Sequence, residues 1–325
     1  MKKTLAVLCL LILLLPLPGL ILNRPDLFSA DREENVDRAL GFRSEMLSAH
    51  AALSRLLGMS GSGQVTLGRR GTLFLSETLP DAVGAESLTD QEIERIAGSL
   101  KALDDHLRGR GAYLVFLCAP SKAGVLTEDL PYYALPRTGD SALEKLQERL
   151  GALGVRYVDA GALAKAMGEG AYLRTDTHWS DALAGEVYRA VMREMPEAAY
   201  ETYEDAAWET IPETGDLTAL IDPVYGEKEA VARRIVERTY RVRGILRSVM
   251  DQRIETACER NDLQVLMLRD SFANALFPYL ANNIGALRLI RAARWEEDFW
   301  REGTDAVILE IAERNLRTLA EIPPI

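Results

Sequence analysis

The run Ala112-Tyr113-Leu114-Val115-Phe116-Leu117-Cys118 is apolar without a break and decides the class of fold. A strand without polar alternation is typical of a sheet that is covered on both faces. A helical pattern precedes it, because Thr89-Asp90-Gln91-Glu92 is a capping box and apolar residues recur at helical spacing over residues 93–107. Gly109 and Gly111 end that helix. A helix that leads directly into a buried strand is typical of an α/β protein.

The alternation of helices and strands continues toward the end of the chain. Residues 141–150 predict a helix and residues 155–158 a strand, and further short apolar runs occupy residues 263–268, 287–290 and 306–311. This order predicts an α/β fold with a mostly parallel sheet and helices on both faces. In such sheets, functional sites gather beyond the carboxyl ends of the strands.

Two other segments have a distinct character. Residues 64–75 alternate around Gly68-Arg69-Arg70-Gly71, which predicts a hairpin. Residues 196–244 mix charges with short apolar groups, and they fit either an inserted lobe or a surface excursion.

The N-terminal segment is set apart from the rest. Lys2 and Lys3 precede an uncharged apolar run at residues 4–22, long enough as a helix to cross a bilayer once. We predict a transmembrane signal anchor at residues 1–23, with a cleaved signal peptide as the alternative. Both place the following chain outside the cytoplasmic membrane. Residues 24–63 are predicted to form a membrane-proximal helix and linker, and residues 64–325 the α/β domain.

Composition limits the possible partners. The chain of 325 residues has 38 Lys and Arg against 49 Asp and Glu, a formal charge of -11. Nucleic acid is an unlikely partner for such a chain, because its binding depends on cations that neutralise phosphates. The three cysteines, at positions 9, 118 and 258, form no disulfide framework. They are predicted to be small buried residues, although a bridge between Cys118 and Cys258 stays open.

One of the three histidines has a context that suits chemistry. His178 lies in Tyr172-Leu173-Arg174-Thr175-Asp176-Thr177-His178-Trp179-Ser180, just before an amphipathic helix, whereas His50 and His106 lie in charged helical surroundings typical of a surface. The Asp176 carboxylate can hydrogen bond Nδ1 and leave the other ring nitrogen to act as a base. The alternative is a helix-capping cluster in which Trp179 packs in the core.

A candidate nucleophile occurs later, in Leu266-Met267-Leu268-Arg269-Asp270-Ser271-Phe272-Ala273-Asn274. Ser271 follows a buried type of strand and precedes a helical stretch at residues 272–280, so its hydroxyl would stand at the sheet edge near amides that can face an oxyanion. The alternative is that Asp270 or Ser271 only caps that helix. No metal site and no cofactor are predicted, because the chain lacks clustered His and Cys ligands.

The order of these motifs resembles the SGNH-hydrolase-like acetyltransferases of the alginate O-acetyltransferase type and the related DHHW proteins. Thr177 stands where the Asp-His-His-Trp form has its first His, and Arg269 stands where hydrolases of this superfamily often have Gly. The stretches that carry the resemblance are Gly68 to Leu75, Ala119-Pro120-Ser121-Lys122, Thr175 to Trp179, Gly215-Asp216-Leu217, Asp270-Ser271-Phe272 and Asp305 to Arg314.

The resemblance implies a circularly permuted SGNH-hydrolase-like domain, in which Asp and His precede Ser. It implies that Ser271 is the nucleophile, His178 the general base and Asp176 its orienting carboxylate. It also implies O-acetylation of a cell-surface polysaccharide, with acetyl groups supplied by a membrane-bound O-acyltransferase. An exported carbohydrate acetyl esterase and a non-catalytic polysaccharide-binding envelope protein are the alternatives. The residues predicted to bind substrate or an oxyanion beside these three are Phe272, Asn274, Lys122 and Trp179, with surface or capping roles open for Lys122 and Asn274.

Overall fold

The computed structural model describes residues 62–195, 198–222 and 226–320 and, ahead of them, residue 14 and residues 17–23, 39–40 and 43–60. Its strands are β1 (Val65–Leu67), β2 (Leu73–Leu75), β3 (Tyr113–Ala119), β4 (Arg156–Val158), β5 (Trp208–Glu213), β6 (Glu229–Arg234), β7 (Arg241–Val242), β8 (Arg253–Ala257), β9 (Gln264–Arg269), β10 (Ala286–Arg291) and β11 (Ala306–Ala312). Its α-helices are α1 (Leu17–Asn23), α2 (Arg43–Leu56), α3 (Leu79–Ala82), α4 (Asp90–Arg108), α5 (Lys122–Val125), α6 (Ala142–Ala152), α7 (Ala160–Met167), α8 (Asp181–Glu194), α9 (Asp216–Ile221), α10 (Phe277–Ala281) and α11 (Leu316–Ala320).

The central sheet has the strand order β4-β3-β11-β9-β10-β8-β7. The strands from β4 to β10 in this order are parallel to one another, and β8 and β7 extend the sheet in antiparallel pairing. The prediction of an α/β fold with a mostly parallel sheet is therefore confirmed. The last strand in the described residues, β11, lies in the interior of the sheet between β3 and β9.

Helices cover both faces of this sheet. In β3, Leu114 and Phe116 pack in the cluster that includes α4, α6 and α11, whereas Val115 and Leu117 pack in the cluster that includes α7, α8 and α10. These four side chains are at most 1% exposed. Burying such a side chain contributes roughly 1.5–3 kcal/mol. Burial on both faces explains the absence of polar alternation in this stretch of sequence.

The helix boundaries follow the capping signals in the sequence. Thr89 Oγ1 accepts from the Glu92 backbone N–H, and the Glu92 carboxylate accepts from the Thr89 N–H, so a capping box begins α4. Ser141 and Glu144 make the same reciprocal pair at the start of α6. The Ser180 side chain caps α8. These bonds satisfy amide groups that have no partner inside the helix. The helices predicted at residues 93–107, at residues 141–150 and directly after the His178 segment are therefore confirmed.

The two segments of distinct character both contain antiparallel pairs. The predicted hairpin is present as β1 and β2. Residues 196–244, for which the sequence left two possibilities open, contain the pair β5 and β6, which is separate from the central sheet, and α9 between them. We call β5 and β6 the ribbon.

The predicted membrane anchor lies mostly outside the described residues. Within the described residues, no helix combines the length and the apolar character that crossing a membrane requires. Helix α2 falls in the predicted membrane-proximal segment. Its Ala51 is buried in a cluster with Leu217 and Ile221 of α9, and Ser48 Oγ donates to Asp222 Oδ1 at 2.8 Å. Helix α2 therefore packs against α9, while the domain boundaries at residues 23 and 63 stay predictions.

The helical stretch predicted at residues 272–280 is interrupted. A 3-10 turn spans Phe272–Asn274, and α10 begins only at Phe277. Pro278 has no N–H to donate to the carbonyl of Asn274, so it fits the first turn of a helix and not its interior. Ser271 therefore begins a short turn instead of a regular helix.

The two described cysteines do not form the bridge that the sequence left open. Cys118 and Cys258 are both free thiols. Cys118 is 1% exposed within β3, and burial raises the pKa of its thiol well above the ordinary value. This cysteine is a small buried core residue, as predicted.

Candidate active site

Ser271 lies just beyond the carboxyl end of β9, on a turn shaped by Asp270. Asp270 Oδ1 accepts from the Phe272 N–H at 2.9 Å, and its Oδ2 accepts from the Ala312 N–H at 2.7 Å. The Asp270 N–H in turn donates to Glu310 Oε2 at 2.8 Å. Asp270 thus fills the capping role that the sequence allowed for it, and the Ser271 hydroxyl is left for another partner. We call residues 270–274 the nucleophile turn.

Asp176 and His178 lie on a loop that precedes α8. Tyr172 and Trp179 form a β-bridge across this loop. The His178 backbone N–H donates to Asp176 Oδ1 at 2.8 Å, so the carboxylate is folded back onto the residue whose ring it also contacts. We call residues 172–179 the base loop.

The three side chains predicted to act together lie in one line. Ser271 Oγ is 2.8 Å from His178 Nε2, and His178 Nδ1 is 2.7 Å from Asp176 Oδ1. The serine and the histidine are 93 residues apart in the chain. The histidine side chain is 29% exposed and the aspartate side chain 16%. This is the geometry of a proton relay that a substrate can reach from solvent.

The charges around the ring favour a protonated imidazole. Burial lowers the pKa of His178, but its hydrogen bond with Asp176 and the negative charges of Asp176 and Asp216 outweigh burial and hold the pKa above its ordinary value. Burial of Asp176 raises the pKa of its carboxyl. Hydrogen bonding with His178 outweighs burial and keeps this pKa below its usual range. The pair is therefore poised to stabilise the imidazolium that forms when the ring accepts a proton.

A second carboxylate, Asp216, lies behind the histidine. Its Oδ2 is 3.5 Å from His178 Nδ1, and its backbone N–H donates to Asp176 Oδ2 at 2.9 Å. Its carboxylate accepts from the Thr177 N–H at 2.7 Å and from the Thr177 hydroxyl. Burial and the charge of Asp176 raise the pKa of Asp216. Thr177, the residue that departs from the Asp-His-His-Trp form, is thus the partner of this carboxylate.

Gly215 allows this close approach. A Cβ at this position would lie 2.1 Å from the Thr175 carbonyl oxygen, so only glycine lets the start of α9 contact the base loop. The ribbon supports the same loop, because Glu229 accepts from the Arg174 N–H and the Thr175 N–H, each at 2.9 Å. Residues 196–244, for which the sequence left two possibilities open, therefore contribute contacts that hold the base loop in place.

The structure corrects the expectation for Lys122. This side chain is 5% exposed, and its Nζ donates to the carbonyl oxygens of Leu73 (2.8 Å), Leu173 (2.7 Å), Arg174 (2.8 Å) and Asp176 (3.1 Å). Burial lowers its pKa to about 7. Because its donors are used by main-chain oxygens, Lys122 ties the base loop to β2 and does not offer an ammonium group to a substrate.

Trp179 and Phe272 connect the base loop to the nucleophile turn. Trp179 is 2% exposed, and its Nε1 donates to the Phe272 carbonyl oxygen at 3.1 Å. The Phe272 ring is 5.1 Å from the Trp179 ring in an edge-on arrangement and 4.9 Å from the His178 ring. Trp179 was predicted to bind substrate, but it packs in the core and its N–H donor is already in use.

Asn274 is the remaining predicted residue, and it is half-buried at the cleft. Its Oδ1 accepts from Arg269 Nη1 at 2.6 Å, and its Nδ2 is 3.1 Å from Met250 Sδ. Asn274, Ser271 and His178 all line one cleft of about 780 Å³. The nucleophile, the base and a side-chain amide donor therefore share one accessible space.

The walls of this cleft come from the ribbon and from residues 246–249. Apolar side chains such as Tyr240 and Phe277 contribute to the lining, and their rings pack edge-on at 5.4 Å. Arg233 also lines the cleft and donates to both oxygens of Glu213 at 2.7 and 2.5 Å. A cleft lined by both apolar and hydrogen-bonding side chains suits a ligand that has both kinds of surface.

One cluster of possible metal ligands occurs in the described part of the chain. Ligand atoms of Asp176, His178 and Asp216 all lie within 4.8 Å of one another. The same atoms take part in the hydrogen bonds between these residues and with Thr177. The hydrogen bonds account for the positions of these groups without an ion.

No site role was predicted for Asp216, although Gly215-Asp216-Leu217 was among the motifs that carry the resemblance. The available signal was a glycine directly before a helical acidic residue, which is compatible with close approach to another backbone. Its partner, Asp176, is 40 residues away in the chain. Contacts at that separation depend on the fold and leave no local pattern.

Comparisons with known proteins show the family to which the chain belongs. The profile of the family described as "SGNH hydrolase-like domain, acetyltransferase AlgX" matches residues 65–272. The probable alginate O-acetylase AlgJ of Pseudomonas putida is 31% identical over 204 residues, which cover 59% of this chain and 51% of that protein. The chain thus spans about half the length of this relative.

Two solved structures share the fold. The O-acetyltransferase domain of Pseudomonas putida AlgJ has a TM-score of 0.51 at 21% identity, covering 80% of this chain and 95% of that domain. A DHHW family protein from Eubacterium siraeum has a TM-score of 0.56 at 16% identity, covering 79% of this chain and 94% of the other. Because the family profile matches more than half of the chain, including the base loop and Ser271, the chain belongs to the SGNH hydrolase-like family of the acetyltransferase AlgX.

Proposed function

We propose that this protein is a polysaccharide O-acetyltransferase that carries the acetyl group on Ser271 during transfer. The observation that carries the proposal is the line of Ser271 Oγ, His178 Nε2 and Nδ1, and Asp176 Oδ1, with contacts of 2.8 and 2.7 Å. Membership of an acetyltransferase family supports acetyl chemistry at this line. The names of the matched relatives, an alginate O-acetylase and an O-acetyltransferase domain, support a polysaccharide acceptor.

The first half of the reaction forms the acetyl-enzyme. His178 Nε2 accepts the Ser271 hydroxyl proton as Oγ attacks the carbonyl carbon of the acetyl donor. Asp176 stabilises the imidazolium through Nδ1, and Asp216 adds a second negative charge 3.5 Å from the same nitrogen. The tetrahedral intermediate collapses, the bond to the leaving group breaks, and the imidazolium returns its proton to that group.

The second half transfers the acetyl group to a sugar. A hydroxyl of the polysaccharide loses its proton to His178 Nε2 and attacks the acetyl carbon. The bond between this carbon and Ser271 Oγ then breaks, and Oγ regains the proton from the imidazolium. The cleft of about 780 Å³ gives the acceptor room beside the acetyl group. Transfer exceeds hydrolysis where the bound sugar excludes water.

The developing negative charge on the acetyl oxygen needs hydrogen-bond donors. We assign this role to the Ser271 backbone N–H and the Asn274 side-chain amide, which both belong to the nucleophile turn. The short 3-10 turn at Phe272–Asn274 brings the Asn274 N–H to 3.1 Å from the Ser271 carbonyl oxygen. One such donor typically contributes about 10²- to 10³-fold to the rate.

The cellular setting is part of the same proposal. The apolar N-terminal run would anchor the protein in the cell membrane, with the catalytic domain on the exported side. Acetyl groups would then cross the membrane through a membrane-bound O-acyltransferase before they reach Ser271. The chain order, with Asp176 and His178 ahead of Ser271, fits a circularly permuted SGNH hydrolase.

The test follows the acetyl group on the full chain purified in detergent. The protein is incubated with p-nitrophenyl acetate, with and without oligosaccharides, and peptides and sugars are analysed by mass spectrometry. We expect an acetyl adduct on Ser271 and acetylated oligosaccharide. Both should be absent in Ser271→Ala and present in Ser248→Ala, a matched control because Ser248 lines the same cleft.

Other outcomes of this test would contradict the proposal. Acetyl release to water without acetylation of any sugar would indicate an esterase. Unchanged sugar acetylation in Ser271→Ala would exclude an acetyl-serine intermediate. A chain that binds polysaccharide and forms no adduct would be a binding protein on a retained fold.

A further inference from the structure

A buried arginine lies directly beneath the nucleophile turn. Arg269 is the last residue of β9 and is 2% exposed. Its Nη1 donates to Asn274 Oδ1 at 2.6 Å, and its Nη2 donates to the carbonyl oxygens of Val249 (2.6 Å) and Asp251 (3.2 Å).

The guanidinium determines which way the Asn274 amide points. Arginine has donors and no acceptor, so the Asn274 atom that it contacts is the carbonyl oxygen. A second guanidinium agrees with this orientation, since Arg291 Nη2 is 3.5 Å from the same oxygen. The NH₂ group of Asn274 therefore contacts neither guanidinium and donates to Met250 Sδ, a sulfur that Arg291 Nη2 also contacts at 3.2 Å.

Asn274 itself lines the cleft beside Ser271, and its NH₂ group has only a weak partner there. Asn274 Nδ2 lies 3.1 Å from the Sδ of Met250, a residue that is 55% exposed. A thioether sulfur is a weak acceptor on a flexible side chain. A carbonyl oxygen entering the cleft beside Ser271 can replace it at little cost.

Burying the Arg269 guanidinium costs folding free energy. Arg269 Nε has no hydrogen-bond partner among the described residues. Burial, together with the charge of Arg291, lowers the pKa of Arg269 to about 10, so the group stays charged at neutral pH. The acidic groups nearby are Asp251, Asp270 and Glu310. A buried cation with an unpaired donor is a poor means of stabilising a protein.

We propose that Arg269 is a positioning residue that fixes the Asn274 amide with its NH₂ group toward the acetyl carbonyl oxygen. The inference rests on the proposed function, because it requires an acyl group on Ser271. Without the Arg269 guanidinium, the Asn274 oxygen would keep only its longer contact with Arg291 at 3.5 Å. The carbonyl oxygens of Val249 and Asp251 would lose their donor, so the NH₂ group would turn toward them and the amide oxygen would face the acetyl group. An oxygen in that place would repel the oxyanion.

A double-mutant cycle tests the proposal in the full chain. The variants are Arg269→Met, Asn274→Ala and the double variant, and the readouts are kcat and KM for p-nitrophenyl acetate and the thermal midpoint. We expect each single variant to lose about 10²-fold in kcat with little change in KM. The double variant should lose no more than Asn274→Ala alone, because the arginine acts through the asparagine.

A matched control separates positioning from the loss of a buried charge. Arg288, on the neighbouring β10, is also partly buried, has a pKa lowered to about 10 by burial, and donates to the Phe299 carbonyl oxygen at 3.0 Å. Arg288→Met should leave kcat within about threefold of the parent. Equal fractional losses from Arg269→Met in the presence and absence of Asn274 would overturn the proposal.

A further variant covers the case in which Arg269→Met does not fold. Asn274→Asp keeps an acceptor for Arg269 and removes the NH₂ donor. We expect a thermal midpoint no lower than that of the parent and a loss in kcat at least as large as for Asn274→Ala. Parental kcat in Asn274→Asp, or a clear drop in its thermal midpoint, would overturn the proposal. Formation of the acetyl adduct on Ser271 in the parent tests the proposed function separately.

Discussion

Two carboxylates, Asp176 and Asp216, lie behind His178. We predict that neither one alone accounts for the activation of His178 as a base. We consider Asp176→Asn, Asp216→Asn and the double variant. Removing the only carboxylate of a Ser-His-Asp triad costs about 10⁴-fold in kcat, the magnitude known for a serine protease. Here a second carboxylate remains after either single substitution, so smaller losses are expected.

The distances give the expected magnitude. At an effective dielectric constant of about 20, a negative charge 2.7 Å from Nδ1 stabilises an imidazolium by roughly 6 kcal/mol, and one 3.5 Å away by roughly 5 kcal/mol. After Asp176 is neutralised, the charge of Asp216 therefore still supplies a large part of the electrostatic stabilisation of the imidazolium. We expect a loss of about 10²- to 10³-fold in Asp176→Asn and at least 10⁴-fold in the double variant.

Hydrogen bonding sets the geometry of Asp176→Asn. Three N–H groups converge on the Asp176 carboxylate: the His178 N–H and Nδ1–H on Oδ1, and the Asp216 N–H on Oδ2. An asparagine has one oxygen, and placing it toward His178 keeps two of the three bonds. The ring and its tautomer are then retained, so the measured loss reports mainly the missing charge.

The assay is the rate of Ser271 acetylation by p-nitrophenyl acetate at pH 8, with thermal midpoints as a folding control. Glu209→Gln is the matched control, because Glu209 is an exposed carboxylate lining the same cleft. The pH profile adds an independent readout. The charge of Asp216 helps to raise the pKa of His178, so Asp216→Asn should move the acid limb of kcat/KM to lower pH.

Two results would refute this reasoning. A loss of 10⁴-fold in Asp176→Asn with no further loss in the double variant would mean that Asp216 does not act on the imidazole. An acid limb at the same pH in Asp216→Asn would lead to the same conclusion.

Three further predictions concern the nucleophile and two buried charged groups. Ser271→Ala should reduce the rate to the residual that binding and oxyanion contacts provide, roughly 10³- to 10⁴-fold over water, in steady-state assays; a higher rate would point to another nucleophile. Lys122→Met should destabilise the fold by about 2 kcal/mol, because main-chain oxygens lose a charged donor, and lower the thermal midpoint by roughly 4–8 °C in calorimetry; an unchanged midpoint would contradict the tie between the base loop and β2. Burial and the charge of Asp270 raise the pKa of Glu310 well above its ordinary value. Above the usual carboxyl range, the folded state therefore holds a proton that the unfolded state releases. The stability of the unsubstituted protein should therefore fall as the pH rises above that range. Glu310→Gln should show a weaker decline in midpoint over that range, and identical slopes for the two proteins would argue against a protonated Glu310.

The parts of the fold that the sequence predicted are those with local causes. The burial of β3 follows from its own apolar run, and the starts of α4 and α6 follow from capping boxes contained within four residues. The break after Asn274 also had a local cause in Pro278, a signal that the prediction of one helical stretch overlooked. Local rules thus located the strand ends on which the site is built.

The parts that the sequence did not predict depend on contacts between distant segments. Lys122 belongs to a Pro-Ser-Lys motif, which suggested a polar group at the site. The partners of the Lys122 ammonium group are instead carbonyl oxygens 49 to 54 residues away in the chain. The role of Asp216 depends on a residue 40 positions earlier. Residue type alone indicated that these groups were polar and charged, and only the fold determines which atoms they contact.

The place of β11 in the sheet has a consequence for biosynthesis. This strand is made after the other described strands, yet it lies between β3 and β9, and its final residue donates to Asp270 beside the nucleophile. A nascent chain that ends before β11 therefore leaves β3 and β9 without the strand that joins them. The nucleophile turn acquires its hydrogen bond from Ala312 only after β11 has been synthesised and inserted into the sheet.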